Sequence, residues 1–211
     1  MKHEPFGDAG WTAAERKIIG KLHSPYAIQQ FLDGIEYSAD PFYRAPRRVL
    51  RDRLAHCMDG AVFAAAALRG LGFPPLVVDL RAEHDDDHLL APFRLDGCWG
   101  AVAKSNFVTL RWREPVYRSL RELVMSYFEG FYNVVREKTL RSYSTPLNLA
   151  AFDSLRWLTD DEALETIAAR LDSARHFPVA SKKAIARLQL LDERSHQAGL
   201  IGSKPEGLYR P

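Results

Sequence analysis

From Met58 to Leu71 the chain reads "MDGAVFAAAALRGL", a run in which Val62, Phe63, four alanines and Leu68 leave no polar side at helical spacing. A helix that is apolar all round belongs in the interior, so the rest of the chain must be arranged to cover it. Gly70 or Gly72 supplies its stop, and Pro74 and Pro75 forbid its continuation. Cys57 stands where this helix should begin, next to His56.

The segments on either side are shorter and amphipathic. Ser24 reads as an N-cap with Pro25 at the first helical position, followed by Ile28, Phe31, Leu32 and Ile35 on one face. Pro46 opens a second short helix carrying Val49, Leu50 and Leu54. After the prolines the pattern changes, and the β-branched "LVVDLRA" reads as a strand. The run "HLLAPFRL", then Asp96-Gly97, then "CWGAVAKSNFVTLRW" predicts a hairpin on a two-residue type I′ turn, within a sheet of three or four antiparallel strands. Pro92 argues for an edge position or a bulge in its strand.

Helical spacing returns after Pro115 with Val116, Leu120, Leu123, Val124, Tyr127 and Phe128, ending near Gly130. Residues 133 to 158 show no clear period and read as a surface wrap. Thr159 and Glu162 form a capping-box pattern ahead of Leu164, Ile167, Ala168 and Leu171, and "SKKAIARLQLLDERSHQAG" reads as a last helix stopped at Gly199. The final "SKPEGLYRP" reads as loose. The expected division is a core over 1–132 and a helical extension over 133–211 packed on it.

With 211 residues the chain can bury a sizeable core, and 46% hydrophobic with 27% charged residues is ordinary for a soluble protein. No apolar run reaches the roughly 18 residues a bilayer span needs, so no membrane partner is expected. A net charge of +2 is too mild to imply a nucleic-acid partner. Two cysteines build no disulfide framework, and "MKHEPFGDAGWTAAERK" lacks the pattern of a secretory leader, which together fit a cytoplasmic setting. No phosphate loop or zinc spacing is present, so no cofactor and no metal are expected. The string "HDDDH" from His84 to His88 reads as an acidic turn between strands, since successive carboxylates on an extended chain alternate in direction.

A thiol at a helix N-terminus has chemistry available to it: the unpaired backbone N–H groups favour a thiolate and also suit an oxyanion. His88 opens a strand, and its hairpin partner ends in polar residues. With Leu95 opposite Cys98, paired positions sum to 193, which sets His88 opposite Ser105. Asn106 has the better chemistry for fixing an imidazole tautomer, yet an unbulged register points it the other way. The third member of a Cys57–His88 pair is therefore Ser105 or Asn106. His56 reads as structural, and Asp59 as support for the first helical turn.

The order of helix, "R..AHCMDGAVFAAAALRGLGFPP", strand, "HLLAPFRLDGCWGAV" and strand resembles the transglutaminase-like superfamily of cysteine acyl-transfer enzymes over roughly Ser24 to Trp112. The matching positions are Cys57, Asp59, "LRGLGFPP", His88 and Gly97-x-Trp99. The resemblance implies an α+β fold of papain-like type, with the Cys-bearing helix on a small antiparallel sheet and helices added after it. It implies Cys57 as nucleophile and His88 as general base, with an acyl-enzyme formed on a peptide or protein substrate bearing an amide or ester carbonyl. Ala55-His56 replaces the family's usual glycine before the Cys, and "GAVAKSN" follows Trp99 where an Asp usually stands. The second function in view is accordingly an interaction module that kept the fold and lost the acid.

Overall fold

The computed structural model describes residues 11–211. Part of the stretch read for a leader, residues 1–10, lies outside the described residues. Helix α1 (Ala13–Ile19) follows Thr12, whose hydroxyl accepts from the Glu15 N–H while the Glu15 carboxylate accepts from the Thr12 N–H. Helix α2 (Pro25–Asp33) starts at Ser24 and Pro25 as the sequence predicts, with Ile28 and Leu32 buried. Strand β1 (Glu36–Tyr37) pairs in parallel with β2 (Leu54–Ala55), the two flanking helix α3 (Pro46–Asp52).

Helix α4 (Cys57–Gly70) is the buried axis, with every residue from Met58 to Leu68 inside. Strands β3 (Leu76–Ala82), β4 (His88–Leu95), β5 (Cys98–Val102) and β6 (Arg113–Tyr117) follow, then helix α5 (Leu120–Met125). The chain continues through β7 (Leu140–Ser144), β8 (Leu147–Asn148), helix α6 (Glu162–Asp172), β9 (His176–Pro178), α7 (Lys182–Ile185) and α8 (Glu193–Gly199). The result is α+β. Seven of these strands, where three or four were expected, form one antiparallel sheet in the order β6-β5-β4-β3-β7-β9, with β8 on the start of β3; the added strands come from residues 140–178.

The sheet is covered on both faces, and strand alternation sorts its residues between them. Val77, Leu89, Ala91, Phe93 and Val102 join the α4 side, while Val78, Leu80, Leu90 and Ala101 join Leu123, Val124 and Tyr127 on the other. Burying about ten such side chains at roughly 1.5 to 3 kcal/mol each is what holds α4 and α5 to the sheet.

The hairpin forms as predicted: Asp96 and Gly97 both have left-handed φ, 49° and 83°, and Leu95 faces Cys98. The register runs unbroken to Ala91 opposite Val102, so Pro92 sits in a regular ladder without a bulge. It is tolerated because the β3 ladder on the other side of β4 ends at Leu90, and its missing N–H removes no bond there. Pairing with β5 stops at Val102, so the expected ladder position of Ser105 opposite His88 is not formed.

Four other expectations need correction. The stretch after Pro115 first completes β6 and only then turns, so α5 begins at Leu120 behind the Ser119 cap. Residues 133–158 contribute β7, which pairs with central β3 and so buries Leu140 and Ser144 at its ends. The N-cap of α6 is Asp161, whose side chain makes no cap bond; Asp160 accepts from the Glu162 N–H, and Thr159 donates back to Arg156. The single helix expected over 181–199 is two, separated where the Leu191 N–H bonds to the Arg136 carbonyl and Asp192 caps a new start.

Candidate active site

Cys57 occupies the first position of α4, and the residue before it makes that helix end. The His56 ring accepts through Nδ1 from the Met58 N–H at 3.1 Å and the Asp59 N–H at 3.5 Å. The Asp59 carboxylate returns the favour by accepting from the His56 N–H at 3.3 Å, a capping box with imidazole in place of hydroxyl. Burial lowers the His56 pKa to about 4, which keeps the ring neutral and Nδ1 free to accept. Both His56 and Asp59 thus have the structural roles read for them.

Asp59 is wholly buried and is held by Arg44, whose backbone N–H donates to Oδ1 at 2.7 Å and whose guanidinium lies 3.7 Å away. Burial raises its pKa to about 7 against that pull. Arg44 is itself buried and also reaches Ser38, Asp40 and Asp52, which ties the loop after β1 to the start of α4.

Cys57 as a residue is half-buried, and its thiol donates to the Asp87 carbonyl at 3.6 Å, one residue before His88. Burial pushes its pKa up to about 12, and nearby Asp86 adds to the rise, so at neutral pH the group is a thiol. His88 is buried, and its Nε2 lies 2.8 Å from the Leu110 carbonyl. A carbonyl only accepts, so the ring proton is on Nε2 and the lone pair on Nδ1. Burial lowers the His88 pKa to about 4. The imidazole shares the face of Leu90 and packs edge-on to Phe131 at 6.2 Å between centroids.

Cys57, His88, Ser105 and Asn106 all line one cavity of about 430 Å³. Their hydrogen bonds, however, part company. The partner of His88 is the Leu110 carbonyl, and Ser105 accepts from the Phe107 N–H at 3.0 Å. Asn106 is engaged with residue 204: Oδ1 accepts from the Lys204 N–H and Nδ2 donates to the Lys204 carbonyl, both at 2.8 Å. Leu110 carries no sequence signal for this role, because a backbone carbonyl is present at every residue and only the fold selects one.

The segment read as loose is docked across this cavity, with Glu206, Gly207, Leu208 and Tyr209 on its wall. Carboxylates from the β3–β4 turn form another wall. Asp85 accepts from Thr139 at 2.8 Å and Asp87 from the Ala82 N–H at 2.7 Å, which makes the acidic string a built turn. Among the described residues no group of three or more His, Cys, Asp or Glu is placed to hold a metal ion. Asp79 also lines the cavity; His176 Nε2 lies 2.9 Å from its Oδ2, and its buried Oδ1 has no hydrogen-bond partner. Among those residues, too, no helix is long and apolar enough to cross a membrane.

No family model matches the chain, and no curated protein does. Among solved structures it is similar to Legionella pneumophila LapG in its EGTA-treated form, at 16% identity and a TM-score of 0.34. The overlap covers 46% of this chain and 64% of that one, so the chain spans less than two thirds of its neighbour.

Proposed function

We propose that the chain is a cysteine-dependent peptidase, amidase or acyl transferase of transglutaminase-like type acting on peptide or protein amides or esters. The observation that carries this reading is that a thiol at the first position of a buried helix and an imidazole whose proton is pinned on Nε2 line the same cavity, although the thiol bonds the Asp87 carbonyl and the imidazole the Leu110 carbonyl. That tautomer leaves Nδ1 as the base.

In the proposed reaction the Cys57 S–H turns from the Asp87 carbonyl and gives its proton, through a water in the shared cavity, to His88 Nδ1 as sulfur attacks the carbonyl carbon. The C–N bond of the tetrahedral intermediate then breaks, the His88 proton goes to the leaving amine, and a thioester remains. Water or a second amine attacks the thioester, giving its proton to Nδ1; the C–S bond breaks and the thiol is restored. The N–H groups of Met58 and Asp59 are taken by His56, and that of Gly60 by the His56 carbonyl, which leaves the Cys57 amide as the helix-end donor for an oxyanion. The Leu110 carbonyl positions the base, in the place where Asn106 or Ser105 was expected.

A second reading, a catalytically degenerate interaction module, is favoured by one observation: the Cys57 thiol and the His88 imidazole hydrogen-bond to different backbone carbonyls, Asp87 and Leu110, and not to each other. Labelling with a peptidyl acyloxymethyl ketone, which needs an assisted thiol, separates the two readings. The expected result is modification of Cys57 that slows at least a hundredfold in His88→Ala. Equal labelling in that variant, or Cys57 reacting no faster than Cys98, would overturn the enzymatic reading.

A further inference from the structure

Asn106 makes an unusual pair of contacts for a side chain. Its amide oxygen and amide nitrogen together bond the N–H and C=O of a single residue, Lys204, so a side chain stands in for a neighbouring β-strand. Such a clamp holds residue 204 by its backbone, whatever its side chain, and the peptide then turns through Pro205–Gly207, where the Gly207 N–H donates back to the Lys204 carbonyl. Two further contacts read side chains. Glu36 lies 2.7 Å from the Lys204 ammonium, and Gly207 lies so close to the cavity wall that an added Cβ would be 2.7 Å from the Tyr37 ring and 3.1 Å from Asn106 Nδ2.

Asn106 is only 4% exposed, whereas the segment it holds is half-exposed or exposed along residues 203–211. The clamp belongs to the packed body and the strap to the surface. Anchorage of the strap comes from α8, where Gly199 sits against the Tyr132 ring and the Tyr132 hydroxyl donates to the Ser195 carbonyl.

We propose that residues 204–209, which supply one wall of the cavity, act as a built-in peptide ligand, and that Asn106, Glu36 and Tyr37 form a subsite for a substrate peptide that turns after a basic residue and carries a glycine three positions beyond it. The inference rests on the peptidase or acyl-transferase reading above. A substrate peptide then binds only when the strap has left, and its departure opens Cys57 to water.

The test removes the strap. The chain truncated after Gly202, carrying Cys57→Ser so that no reaction intervenes, is titrated with the peptide SKPEGLYRP bearing a fluorophore. Saturable binding is expected, weakened at least tenfold by Asn106→Ala or by a peptide with Gly207→Val. In the truncated chain with Cys57 intact, iodoacetamide modification of Cys57 should rise at least tenfold over the full chain and fall again when the peptide is added. Binding that depends on Asn106 and Gly207 supports the subsite even if Cys57 proves inert, in which case the catalytic reading alone falls. Absent binding, or binding indifferent to both changes, overturns the proposal. Should the truncated chain fail to stay folded, Gly207→Val in the full chain decides: faster modification of Cys57 is expected, and an unchanged rate overturns it.

Discussion

Cys57 and His88 are both uncharged at neutral pH, and for one reason. Each is withdrawn from water, which costs the charged form more than the neutral one, so the thiol moves up to about 12 and the imidazole down to about 4. Iodoacetamide modification of Cys57 in the full chain should therefore climb steadily from pH 7 to pH 10, without the plateau a thiolate would give. Asp86→Asn removes the negative neighbour that adds to the rise, so the rate at a fixed pH of 9 should increase several-fold; an unchanged rate would leave burial as the whole cause. His56→Ala should cost about 1 to 2 kcal/mol in urea unfolding, since two helix-end N–H groups lose their acceptor, and His56→Asn should recover most of it. The position of the thiol was legible in sequence because a helix start is a local event. Its ionisation was not, because burial is supplied by distant segments.

The hairpin shows what local chemistry can specify. Asp96-Gly97 needs only a left-handed backbone, and no atom lies within 4 Å of a Cβ added at Gly97. Gly97→Ala should thus cost about 1 kcal/mol, from backbone strain alone. Gly100→Ala, three residues on, should cost clearly more, because its Cβ would lie 2.7 Å from the Phe93 ring and 2.9 Å from the Arg113 carbonyl. Thermal unfolding of the two variants side by side checks the order, and equal losses would contradict it. By contrast β7, β8 and β9 were invisible in sequence. They span two to five residues, and β7 buries only its ends, so no alternation of apolar and polar residues accumulates. The break between α7 and α8 was hidden for the opposite reason: the helical spacing of 181–199 continues through it, and the Arg136 carbonyl overrides it from another part of the chain.

Taken together, the buried titratable groups pull the molecule's stability in opposite directions as pH falls. His88 has a folded pKa of about 4 against an ordinary value near 6.5, so between those values the unfolded chain binds a proton that the folded chain refuses. Stability from this group is present above about 6.5 and is lost as pH falls toward 4. Asp59 and Asp79 are raised by burial to about 7 and about 6, so they bind protons in the folded chain first and add stability over much the same range. The wild-type curve should consequently be shallow, while the stability difference between wild type and His88→Asn should shrink by up to about 3 kcal/mol between pH 7 and pH 4. A difference that stays constant would show that His88 is not held neutral.

Much of the core was written in the order of residues. An all-apolar helix must be inside, a type I′ turn sets a hairpin register, and a cysteine before the one and a histidine beginning the other place both at the same end of the fold. These are consequences of local geometry and of water's exclusion from apolar surface, which act on neighbours in sequence. Which carbonyl holds His88, what occupies Asn106 and what lies across the cavity depended on residues 22 and 98 positions away. Such contacts arise only when separate segments close together, because hydrogen-bond partners common to every residue acquire identity from position in space.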